Sequence, residues 1–137
     1  MKNPPSHLLD TSVCSQPLKG HPSESALDHW DRLGEAAATS EACLGEIEWG
    51  LHKLASERRW TGYREDILPS VQVLAVDRET WSHFARMKAR QEALGHPVPD
   101  LDLLIAASAV QHGLILSTLD TNHFALIEGL RWEDWSS

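Results

Sequence analysis

The sequence predicts an α/β sandwich built on a largely parallel sheet, and three observations predict it. Short apolar runs alternate with stretches of helical periodicity, the pattern of parallel strands joined by crossover helices. Two of the runs, His7-Leu8-Leu9 and Leu114-Ile115-Leu116, are apolar nearly throughout and read as buried strands. No internal repeat, low-complexity tract or long linker divides the 137 residues, a length that suits one domain.

The elements follow in order. His7-Leu8-Leu9 is a strand, and Asp10-Thr11-Ser12 is the polar turn after it. Val13 to Leu18 reads as a short helix stopped by Lys19-Gly20 and Pro22. Pro22-Ser23 opens a helix to about Gly34, with Ala26, Leu27, Trp30 and Leu33 on one face. Ala36 to Thr39 reads as a brief second strand. Ser40 starts the longest helix, to about Glu57, whose stripe is Cys43, Leu44, Ile47, Leu51, Leu54 and Ala55. Tyr63 to Leu68 is a further helical segment, ended by Pro69. Val71 to Val76 alternates like a strand. Asp77 is an N-cap for a helix to about Leu94, and Gly95 to Pro99 is a loop. Leu101 to His112 is helical with Gly113 as its C-cap, and Asp100 is a plausible N-cap. Leu114-Ile115-Leu116 is the next strand, and Leu130-Arg131-Trp132 reads as an edge strand.

Composition narrows the function. Apolar residues make up 42% of the chain, enough for a packed core. Twenty acidic residues against twelve Lys and Arg leave a net charge of −8, which argues against gripping nucleic acid by bulk charge. A local basic patch stays possible: Lys53, Arg58, Arg59 and Arg64 cluster in sequence, as do Arg86, Lys88 and Arg90, although each cluster is first a solvated helix face. Two cysteines rule out a disulfide scaffold or a Cys-rich zinc module. No segment approaches the ~18 apolar residues of a membrane span. The N-terminus lacks a signal-like apolar region, so a soluble cytoplasmic protein is expected, with residues 1–5 as a loose lead-in.

Four acids adjoin apolar structure. Asp10 and Asp120 follow buried strands, and ligands of such sheets sit beyond the carboxyl ends of the strands. Asp102 lies in the first turn of a helix, at the edge of the stripe Leu101, Leu104, Ile105, Ser108 and His112. Glu46 and Glu48 flank opposite edges of the stripe of the Ser40 helix, and periodicity does not choose between them. Each acid has a plain structural alternative: a turn hydrogen bond for Asp10 or Asp120, a helix N-terminus for Asp102, solvent for Glu46. Taken together, carboxylates converging at one sheet end repel each other unless a hard divalent cation neutralises them. An all-carboxylate set suits Mg²⁺ or Mn²⁺ and not zinc.

In four segments the chain resembles the PIN-domain ribonucleases, and most closely the VapC-like toxins of type II toxin–antitoxin modules with their FitB-like relatives. They are Leu8 to Val13 with Ser15 to Leu18, Ser40 to Leu51, Pro99 to Ala109, and Leu116 to Phe124 continuing to Gly129-Leu130 and Trp135. They stand in the family's order and spacing. The family's Glu-x-x-x-Gly selects Glu46, which precedes Gly50, and its Asp-x-x-Ile-Ala-Ala selects Asp102 over Asp100. Gly50 costs about 1 kcal/mol in a helix interior, which close packing against another element would explain. Cys43 stands where the family often has Thr, and Asn122 where it is often acidic.

The resemblance implies a PIN-like three-layer α/β/α sandwich over residues 6–135. It implies Mg²⁺- or Mn²⁺-dependent endonucleolytic cleavage of structured RNA, of the tRNA or rRNA class. Asp10 and Asp102 would be direct metal ligands. Glu46 and Asp120 would bind directly or through water, or position the attacking water. Ser12, Thr118 and Asn122 would hydrogen-bond ligands or substrate, with a plain turn hydroxyl as the alternative for Ser12 and for Thr118. The implied partners are a cognate antitoxin and a second copy in a homodimer, with no membrane. Trp30, Trp49 and Trp60 are candidates to line a groove for a partner peptide, whereas His7 and His123 read as ordinary core or surface residues. Two rivals remain. A phosphatase-like Mg²⁺ enzyme using Asp10 as nucleophile usually needs a second acid two residues later, where Ser12 stands. A binding module that lost activity would not be expected to keep all four acids.

Overall fold

A computed structural model describes residues 3–137. The first two lead-in residues lie outside the described residues. Among the described residues, five strands form one sheet: β1 (His7–Leu9), β2 (Ala37–Ser40), β3 (Gln72–Leu74), β4 (Ile115–Thr118) and β5 (Trp132–Asp134). Their order is β3-β2-β1-β4-β5, and every pairing is parallel.

Among the described residues seven α-helices connect and cover them: α1 (Thr11–Cys14), α2 (Glu24–Leu33), α3 (Glu41–Leu54), α4 (Glu57–Gly62), α5 (Arg78–Ala93), α6 (Asp100–His112) and α7 (Thr121–Phe124). Because successive strand residues point to opposite faces, β1 and β2 feed two cores. Leu8 and Ala38 pack with Met87, Leu103, Ile105 and Phe124 on the face covered by α5, α6 and α7. Leu9 and Ala37 pack with Val13, Trp30, Ile47, Leu51, Tyr63 and Trp135 on the other face. Helices on both faces give the expected three layers.

The caps explain the boundaries. Ser23, Ser40, Ser56 and Asp77 each accept a hydrogen bond from a backbone N–H of the helix they begin. At Asp77 the bond is reciprocal, with Thr80 Oγ1 accepting from the Asp77 N–H. Gly113 closes α6 in the left-handed conformation at φ 67°.

Several boundaries differ from the expectation. The helix read from Val13 to Leu18 begins two residues earlier and breaks at Ser15, leaving α1 and a 3₁₀ turn at Gln16–Leu18. The Ser40 helix stops at Leu54 because Ala55 turns left-handed at φ 48°, and Ser56 then caps a separate helix, α4. The expected helical segment after Tyr63 is a wide π-type turn at Tyr63–Ile67 followed by a 3₁₀ turn at Leu68–Ser70. Strand β3 is only three residues long and, as an edge strand, leaves Val73 exposed. Strand β4 reaches Thr118, and the edge strand after Leu130 is shifted to Trp132–Asp134. Asp100 is the first residue of α6 rather than its N-cap, and its carboxylate pairs with Lys88 at 2.8 Å. The expected one-sided stripe of α6 gives way to burial all round, from Leu103 to Ala109, because α6 sits between the sheet and α5. Gly50 does not mark a close approach, since a Cβ there would meet nothing within 4 Å.

Candidate active site

Asp10 stands one residue past the end of β1 and caps α1, only 3% exposed. Its Oδ1 accepts from Ser12 Oγ at 2.6 Å and from the Val13 N–H at 3.0 Å. Its Oδ2 accepts from Thr118 Oγ1 at 2.5 Å. A carboxylate oxygen has two acceptor directions, so these bonds saturate Oδ1 and leave one direction on Oδ2. Burial pushes the Asp10 pKa up to about 6. The bonds from Ser12, Thr118 and Val13 oppose the rise, and the charge of Asp120 adds a little to it.

Thr118 ties the two central strand ends together. Besides serving Asp10, its hydroxyl accepts from the Asp120 N–H at 2.8 Å and lies 3.0 Å from the Asp120 carbonyl. Ser12 Oγ also accepts from the Leu119 N–H at 2.9 Å. Two residues more than a hundred positions apart thus become one small hydroxyl network around a buried carboxylate. Asp120 caps α7 through the Asn122 N–H at 3.3 Å, with both residues exposed.

Glu46 lies on the second turn of α3, where Thr11 Oγ1 donates to it and so ties it to the residue after Asp10. Glu48 is occupied elsewhere, accepting from the Tyr63 hydroxyl at 2.7 Å. Asp102 lies in the first turn of α6, and its Oδ2 is 2.8 Å from His123 Nδ1 on α7. That contact ties His123 to one of the four candidate acids. Nothing in its spacing revealed it, because α7 was not expected and the partner lies on another helix. His7 instead pairs with Glu133 at 3.2 Å.

The four acids therefore share the carboxyl end of the sheet, but they do not close on a single point. Among the described residues no three of His, Cys, Asp or Glu stand near enough to hold one ion. Asp10 and Asp120 are close enough to feel each other's charge. Such a site fits Mg²⁺ or Mn²⁺, which bind through one or two carboxylates and keep much of their water. It does not fit a structural zinc site, which closes four Cys or His ligands tetrahedrally around the ion.

An apolar cleft of about 650 Å³ adjoins Glu46, with Trp49, Trp81 and Leu101 on its walls. A second cleft, of about 630 Å³, lies at the opposite end of the sheet between Trp30, Ala37 and Val71, and Asp28, Asp31, Glu35 and Asp66 line it. Of the three tryptophans expected to line a groove, Trp30 and Trp49 do so, on different clefts. Trp60 packs against Tyr63 and His52. Within the two basic clusters, Lys53 covers the Trp49 ring at 3.7 Å, Lys88 pairs with Asp100, and Arg86 contacts His83 at 3.1 Å.

Residues 7–130 match the family model of the PIN domain. The tRNA(fMet)-specific endonuclease VapC of Shigella flexneri is 30% identical, over 94% of this chain and 97% of that protein. Toxin FitB of Neisseria gonorrhoeae is 27% identical, over 93% of this chain and 97% of its own length. Among solved structures, DNA-bound VapBC from Salmonella typhimurium contains a chain of the same fold, with a TM-score of 0.87 and 30% identity over 96% of this chain and 98% of that one. A match over nearly the whole length, with the carboxylates at the strand ends, means that this chain belongs to the PIN-domain family, alongside VapC and FitB.

Proposed function

We propose that this chain is the toxin of a type II toxin–antitoxin pair. It acts as a Mg²⁺- or Mn²⁺-dependent endoribonuclease on structured RNA of the tRNA or rRNA class, in the cytoplasm, and a cognate antitoxin restrains it. Residues 6–135 act as one domain. The single observation that carries the reading is Asp10, a buried carboxylate whose ionised form no basic side chain among the described residues offsets, with one acceptor direction left on Oδ2. The names of the Shigella flexneri relative, an endonuclease, and of the Neisseria gonorrhoeae relative, a toxin, support it.

In this reading Asp10 and Asp102 hold the metal directly. Glu46 and Asp120 reach it directly or through water, or position the attacking water. When bound, the ion supplies a water of lowered pKa and positive charge beside the phosphate. The chain's own work is orientation. Ser12, Thr118 and the Val13 N–H fix the Asp10 plane, and Thr11 holds Glu46 beside it. In this reading Asn122, exposed on α7, contacts substrate. A homodimer accounts for the exposed apolar side chains of Trp49, Trp81 and Leu101 in one cleft.

The test is RNA cleavage in vitro with Mg²⁺ or Mn²⁺, followed by 5′-end sequencing after induction in cells. Wild type cuts and EDTA stops it, and Asp10→Ala and Asp102→Ala each lose about a hundredfold or more. Cleavage that persists in EDTA, or survives both substitutions, sinks the reading.

A further inference from the structure

We infer that His123 is a positioning residue: it orients Asp102 for the metal through an Nδ1–H hydrogen bond. The inference rests on the reading of Asp102 as a metal ligand. Among the described residues Asp102 caps no backbone N–H, and Pro99, the N-cap of α6, makes no side-chain cap. The one side-chain hydrogen bond of Asp102 among the described residues is the 2.8 Å contact with His123. An ionised carboxylate only accepts, so Nδ1 is the donor in this bond. The bond occupies one direction of Oδ2 and stops the carboxylate turning about its Cβ–Cγ bond. Oδ1 is left for a cation.

The fold makes the arrangement rigid from both sides. His123 sits on α7, whose first turn Asp120 caps, and Phe124 beside it is buried in the core with Leu103 and Ile105 of α6. The same short helix thus carries one carboxylate at its start and a donor to another at its end. The His123 side chain is 43% exposed, so its burial alone gives little reason for a ring there. Hydrogen bonds of this kind to metal-binding groups are worth about 10–100-fold in metal affinity.

The experiment is calorimetric titration of the protein with Mn²⁺, without RNA, on wild type and four variants. His123→Phe keeps a ring and loses the donor, His123→Asn keeps a donor and loses the ring, and His123→Ala loses both. Asp102→Ala reports the site itself. We expect Mn²⁺ affinity to fall about tenfold or more in His123→Phe and His123→Ala, with His123→Asn within about threefold of wild type. In RNA cleavage the Phe variant lowers kcat and leaves KM unchanged. Wild-type affinity in His123→Phe, alongside loss in Asp102→Ala, overturns the inference and spares the metal site. Equal loss in Phe, Asn and Ala overturns it in favour of direct ligation by the ring. No Mn²⁺ uptake by wild type overturns the metal-site reading and this inference with it.

Discussion

At the scale of single residues the site is organised by the cost of burying Asp10. The folded protein holds the Asp10 proton to about pH 6, against 3.8 for an ordinary carboxyl, chiefly because burial penalises the charge. The folded state therefore binds more protons than the unfolded chain between those values. The contribution of Asp10 to stability is fullest below about pH 4, is lost as pH rises through about 6, and stays lost above. The loss amounts to about 3 kcal/mol in metal-free protein. Asp10→Asn removes the charge and keeps the bonds from Ser12 and Val13. Thr118 can turn its hydroxyl to the Asp120 carbonyl, 3.0 Å away, and accept from the new amide. The variant should be more stable than wild type by about 1–3 kcal/mol in EDTA at pH 7.5, with the advantage vanishing near pH 4. Urea unfolding at both pH values checks this, and a less stable variant at pH 7.5 contradicts it. Added Mg²⁺ should narrow the gap by stabilising only the wild type.

Elements supply the next two predictions. Helix α3 carries Gly50 in its interior, where an added Cβ meets open space. Gly50→Ala should raise stability by about 1 kcal/mol through helix propensity alone, read as a higher thermal midpoint with RNA cleavage unchanged. A lower midpoint would show that Gly50 has a packing role after all. Helix α5 contributes Gln91, buried and fully bonded. Its Nε2 donates to the carbonyls of His96 and Leu126, and its Oε1 accepts from the Glu128 N–H. It pins the loop before α6 and the segment after α7, so it braces both helices that carry Asp102 and His123. Gln91→Leu has a similar volume but orphans three backbone groups, at a cost of about 2–4 kcal/mol. Denaturant unfolding measures it, and a loss below about 1 kcal/mol would mean that these groups find other partners.

The whole molecule joins residues far apart in sequence. With all pairings parallel, every strand delivers its carboxyl end to the same edge, and the central pair β1–β4 places Asp10 beside Thr118 and Asp120. On the same edge Trp49, Trp81 and Leu101 leave an apolar wall exposed. If a second copy covers that wall, the wild type sediments as a dimer at about ten micromolar, a concentration at which apolar interfaces of ordinary size hold. Trp81→Glu should then sediment as a monomer. A monomeric wild type removes the homodimer from the proposal. No helix among the described residues is long and apolar enough to cross a membrane.

How much of this was legible depends on how local the cause is. Periodicity, caps and buried runs are local, so the strand–helix alternation, the Ser40, Asp77 and Gly113 caps and the parallel sheet could be read from the chain. The order of its four motifs placed it in its family. Short-range breaks were harder: Ala55 turns left-handed without a glycine, and α4 and α7 are too short to show a period. The choice of Glu46 over Glu48 was open on periodicity alone, and the structure gives the two acids different partners, Thr11 and Tyr63. What only the tertiary structure decided is which groups meet. Thr118 on Asp10, Thr11 on Glu46, Glu48 on Tyr63 and His123 on Asp102 all join different elements. So do the burial that lifts the Asp10 pKa and the empty space beside Gly50. The sequence by itself determined the alternation of elements and the supply of acids at the strand ends, because both arise from neighbours in the chain. Contacts and desolvation arise from neighbours in space, and packing sets those.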